Sequence, residues 1–110
     1  MKAKVSVDAG ICGFHTRITA IGTDDQNVEF QIESGCDKIK ALAQSVKAQG
    51  PVDAYQEISP DAESVILSVV RSTLKGCCAG CAVPVGIFKS MQVAAGLALP
   101  KDVGIKIAKE

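Results

Sequence analysis

Residues 75–84 read Lys-Gly-Cys-Cys-Ala-Gly-Cys-Ala-Val-Pro, which places Cys77, Cys78 and Cys81, three of the chain's five cysteines, within five consecutive positions. Cys78 and Cys81 form a C-x-x-C, a spacing that lets one loop give two sulfurs to one centre. The other two thiols are single: Cys12 in Gly-Ile-Cys-Gly-Phe and Cys36 in Ser-Gly-Cys-Asp. A soft metal centre needs about four thiolates, held by backbone that can curl round it and aim N–H groups at sulfur. Gly10, Gly13, Gly35, Gly76 and Gly80 flank the cysteines and supply that kind of backbone. Cys12, Cys36, Cys78 and Cys81 are therefore a candidate ligand set for zinc or an iron–sulfur cluster, in a structural, electron-transfer or cofactor-handling role. Cys77 is left over.

Two other chemistries use the same residues. In a thiol–disulfide or thiol-nucleophile protein, Cys36 or Cys81 is the attacking thiolate and a neighbouring thiol resolves it. In an interaction module the cysteines are small buried hydrophobes with no chemistry of their own. No second C-x-x-C stands at zinc-finger distance, so the spacing leaves all three readings open.

The remaining polar residues point to no catalytic constellation. His15, the only histidine, is close to Cys12 but alternates onto the outer side of a strand, where a solvated role suffices. Asp24 and Asp25 sit in a turn composition that favours aspartate for geometry alone. Glu29 and Glu33 share an exposed strand face, and Tyr55 reads as a loop anchor. No Ser/His/Asp set, P-loop or G-x-G-x-x-G occurs.

Length and composition bound what can position the thiols. One hundred and ten residues make one small domain, 1–110, with 47% hydrophobic and 22% charged residues, the balance of a folded chain. Twelve acids offset twelve bases and no basic block appears, which argues against nucleic acid as a partner. The N-terminus lacks a signal-like apolar run, and the apolar stretch from Val83 to Leu99 is broken by Pro84, Gly86, Lys89, Ser90, Gln92 and Gly96, so we expect a cytoplasmic protein without a membrane partner. In a reducing compartment an odd number of cysteines favours metal or thiol chemistry over a disulfide framework. A redox or cofactor-carrying protein partner and a homo-oligomer are the partners this reading admits.

The elements follow from periodicity. Ala3, Val5, Val7 and Ala9, then Phe14, Thr16, Ile18 and Ala20, then Val28, Phe30 and Ile32 alternate with polar residues, predicting three strands of an antiparallel meander with one dry face. Ser34 and Asp37 suggest a capping arrangement for a helix carrying Ile39, Leu42, Ala43 and Val46 and ending near Gly50-Pro51. Ser59 and Pro60 suggest the cap and first position of a second helix reaching about Leu74. Pro84 opens a third, with an apolar stripe of Ile87, Phe88, Met91, Ala94, Ala95 and Ala98, and helix N-termini behind Cys36 and Cys81 would suit thiolate ligands. Val103, Ile105 and Ile107 alternate again, predicting a C-terminal strand. The expected order is β-β-β-α-α-α-β, an α+β domain with its three helices on one face of the sheet. Antiparallel pairing of the second and third strands would bring Cys12 and Cys36 to the same edge of that sheet.

The segments CGF, SGCDKIKALA and CCAGCAVPVGIFKSMQVAAGLALPKDV together resemble a group of small uncharacterised prokaryotic proteins that carry such cysteines, many of them from anaerobes. Residues 28 to 95 also loosely resemble the cysteine-containing, TSCPD-type domain of adenosylcobalamin-dependent ribonucleotide reductases, which implies that Cys36, Cys78 and Cys81 cluster. The chain departs from that domain where Cys81 is followed by Ala-Val-Pro in place of its Ser-Cys-Pro-Asp run. Neither resemblance implies an activity.

Overall fold

A computed structural model describes all of residues 1–110. The three alternating segments form β1 (Lys2–Asp8), β2 (His15–Gly22) and β3 (Asn27–Ser34). They pair antiparallel, with Val5 opposite Ile18 and Ile18 opposite Ile32. The expected dry face is present: Ala3, Thr16, Ile18, Ala20 and Val28 are buried, while His15, Arg17, Glu29, Gln31 and Glu33 face solvent.

Four α-helices complete the domain: α1 (Asp37–Ala48), the short α2 (Ala54–Ile58), α3 (Val65–Thr73) and α4 (Val83–Ala94). Helix α4 lies on β1 and β2, α1 lies on β3, and α3 packs against α1 and α4. Ile39, Leu42 and Val46 of α1, Ile66, Val69 and Val70 of α3, and Val83, Ile87, Met91 and Ala94 of α4 share one core with the sheet. The close approach of α4 depends on Gly86, where a Cβ would stand 2.7 Å from Val7 Cγ2 and 3.1 Å from Ile18 Cδ1.

Residues Gly76–Ala94 are, by length and composition alone, apolar enough to cross a membrane. The helix is not continuous there: Gly76–Gly80 is a separate 3-10 turn and Cys81 is extended. The twelve residues of α4 span about 18 Å, short of a bilayer core of about 30 Å, and α4's buried residues face the sheet, as in the core helix of a globular domain.

The α+β class and helices on one face hold, but there are four helices in place of the expected three, the short α2 being the addition, and the fourth strand is not the expected one. The C-terminal tail from Leu99 forms no strand, and Val103, Ile105 and Ile107 are exposed. Alternation alone makes no strand without a neighbouring edge to bond. The sheet instead gains β4 (Val52–Asp53), paired with Asn27 and Val28, inside a stretch whose polarity suggested a loop. The order across the sheet is β1-β2-β3-β4.

Two helix starts also shift. Helix α1 is capped at Cys36, because Ser34 is still paired in β3 and its hydroxyl accepts from Thr16 Oγ1 (2.9 Å) and from the Cys36 amide (3.2 Å). Helix α3 starts five residues later than Ser59 implies. Ser64 is its cap, accepting from the Leu67 amide at 3.0 Å. Buried Glu57 accepts from Ser64 Oγ (2.9 Å) and from the amides of Val65 and Ile66 (both 2.7 Å), satisfying donors that a helix start leaves without intrahelical partners.

Candidate thiol site

The five cysteines are free. Their positions follow from the registers. The β1–β2 pair runs to Asp8 opposite His15, and the Ala9 amide donates to Phe14 O (3.1 Å), so Gly10–Cys12 is the 3-10 turn that closes this hairpin. Gly13, at φ 76°, completes the turn in the left-handed region. In β2–β3, Thr16 is opposite Ser34, and a Cβ on Gly35 would lie 3.4 Å from the Phe14 ring. Cys12 and Cys36 therefore occupy the same end of the sheet, as the antiparallel register implied.

The third station is there too. Gly86, one turn into α4, sits over Val7, near the β1 terminus that leads to Cys12. At the other end of α4, Ala94 O would be 3.1 Å from a Cβ on Gly22, whose amide donates to Met1 O. Helix α4 thus runs from the thiol end of the sheet toward the Met1 end, and Cys77, Cys78 and Cys81 precede its first turn. Three connections distant in sequence place all five thiols at one end of the fold.

Local geometry separates them. Cys12 and Cys77 are exposed, and the Cys12 thiol has only a long contact to Ala9 O (3.9 Å). Cys36, Cys78 and Cys81 are half-buried and pack against the core. The Cys81 amide donates to Cys78 O (3.1 Å), closing the C-x-x-C into one turn. The Val83 amide, at the first position of α4, donates to Cys81 Sγ (3.5 Å). An amide aimed at sulfur from a helix N-terminus is an arrangement that suits a thiolate ligand.

Gathering at one end is not yet ligation. No three His, Cys, Asp or Glu side chains stand close enough together to hold a metal ion. The other singled-out residues have structural roles or face solvent. His15 is exposed on the outer face, and Tyr55 is half-exposed on α2. Glu33 makes only an exposed 3.9 Å pair with Arg17. Asp24 accepts from the Gln26 and Asn27 amides (both 2.7 Å), and these bonds, that from the Asn27 backbone foremost, hold its carboxyl below the usual carboxylate range. Glu57 is the residue that periodicity misses. Its only sequence signal is an acidic residue eight positions before an apolar helix, a separation no local capping pattern covers.

No curated protein and no solved structure matches the chain, and the likeness to the ribonucleotide reductase domain is not supported. What does match is the model of a family of unknown function, DUF6951, over residues 3–107, and the chain belongs to that family.

Proposed function

We propose that the thiol end binds a soft metal centre, zinc or an iron–sulfur cluster, through Cys12, Cys36, Cys78 and Cys81. The observation that carries this reading is the C-x-x-C closed into one turn at the start of α4, with the Val83 amide on Cys81 Sγ. That pair is the anchor. Cys12 and Cys36 complete the set by movement of their connections toward it. The room exists, since a Cβ on Gly10, Gly13 or Gly80 would meet nothing within 4 Å. Each thiol that ligates releases its proton, so loading weakens as pH falls. Zinc would tie the three connections together, and an iron–sulfur cluster would add electron transfer or cluster delivery to a protein partner.

The test is anaerobic purification with iron and zinc supplied, followed by elemental analysis and an absorption spectrum, on the parent and the five single Cys→Ser variants. Metal is expected in the parent and in C77S, and a reduced content in C12S, C36S, C78S and C81S. Folded but metal-free parent protein, or full metal in all five variants, overturns the reading.

The shared turn also favours a second reading, in which Cys78 and Cys81 cycle between dithiol and disulfide, passing two electrons and two protons to a disulfide-bearing partner. Metal-free protein whose Cys78–Cys81 pair oxidises reversibly in a glutathione redox buffer would select it.

A further inference from the structure

Strand β3 has a partner on its outer side only at Asn27 and Val28, where β4 pairs; from Glu29 to Ser34 that side carries no strand. An unpaired strand side is a row of backbone donors and acceptors ready to bond another strand. Alongside it, between β3 and α1, runs a groove of about 790 Å³. Its apolar lining is Phe30 and Ile32 of β3 with Ala43 and Val46 of α1, and Glu29 and Glu33, which alternate with Phe30 and Ile32 along the strand, line it too.

The tail has the complementary pattern. Val103, Ile105 and Ile107 are 56%, 66% and 91% exposed, with Gly104 and Lys106 between them. The family match runs through residue 107, so these apolar positions lie within the shared domain. Laid beside β3, a strand from Val103 to Ala108 turns its three apolar residues toward Phe30, Ile32 and α1, and turns Lys106 toward the glutamates.

Its own groove is badly placed for it. The chain leaves α4 with Gly96 against Met1, at the β1 side of the sheet, and β4 stands between that end of β3 and the free stretch. A second copy has no such obstruction. We propose that residues Val103–Ala108 of one copy add as a strand along Glu29–Ser34 of a second, the two copies exchanging tails about a two-fold axis.

Sedimentation equilibrium of the full chain with reductant and chelator present, which removes disulfide and metal bridges, tests this together with amide hydrogen exchange. The full chain should dimerise, with β3 amides between Glu29 and Ser34 protected at high concentration. I105D, at an exposed position, should weaken the dimer at least about tenfold and release those amides, while K106E should weaken it less. A monomer at about 100 µM, a concentration that populates even weak dimers, overturns the proposal. So does a dimer indifferent to I105D, or β3 protection in a monomer, which would put the tail on its own edge.

Discussion

The two ends of the sheet are built in opposite ways. At the Met1 end polar groups are satisfied and backbones crowd together. Asp24 holds two turn amides, Gln26 bonds Asp53, Gly22 bonds Met1 O, and a Cβ on Gly22 would lie within 3.3 Å of backbone on two sides. The α2–α3 junction belongs to this end, because Ala54 is tied to Gln26 O and Glu57 collects three donors at the start of α3. At the thiol end Gly10, Gly13, Gly76 and Gly80 border open space, and two of the five cysteines are exposed. The contrast is between an end whose segments are tied to one another and an end whose connections border open space, and segments with few such ties are the ones that open at least cost.

The largest effect is expected of E57A. It would strand the amides of Val65 and Ile66 in a buried place, and we expect a loss of about 3 kcal/mol, read by urea denaturation. A loss under about 1 kcal/mol would mean that α3 does not depend on the Met1 end for its start.

Next comes G86A, which tests the helix that spans both ends. The added methyl meets Val7, Ile18 and Val5, so overpacking should cost about 1–3 kcal/mol. An unchanged thermal midpoint would show that α4 can lift from the sheet without cost.

At the thiol end the expected effect is small. In metal-free protein C12S and C77S remove exposed thiols without buried contacts and should stay within about 0.5 kcal/mol of the parent. A loss as large as that of G86A in either variant would erase the distinction between the ends.

The smallest effect concerns acid. Folding lowers the Asp24 carboxyl below its usual range, so its contribution is complete above the unfolded value and is lost as pH falls through the lowered folded value. D24N should therefore lower stability slightly at neutral pH, and the difference from the parent should shrink as pH falls through the lowered folded value. A parallel offset of the two profiles at every pH would assign Asp24 a purely geometric role.

Much of the fold is legible in the residues themselves. Alternation in Ala3–Val7, Thr16–Ala20 and Val28–Ile32 fixes three strands and their dry face, because the side-chain period of a strand is two and a one-residue slip would expose every apolar residue. The helical reading of Val-Ile-Leu-Ser-Val-Val at 65–70 and the first-turn role of Pro84 are likewise local. So is the choice of cysteines worth testing, since a C-x-x-C beside glycine needs no long-range contact to be recognised.

Tertiary structure decided the rest. Ser59 has the chemistry of a cap, but α3 begins where the Glu57 carboxylate, brought alongside by α2, meets the free amides of Val65 and Ile66. Val52–Asp53 is a strand because β3 offers an edge there, and Val103–Ile107 has the better pattern but pairs with no strand of its own chain. The gathering of five thiols at one end rests on the direction in which α4 crosses the sheet, and Gly86 allows that crossing by a contact between residues about eighty positions apart in sequence. Period and capping chemistry act over a few residues and are written in the chain; which edges, carboxylates and connections meet is settled only when distant segments share a core.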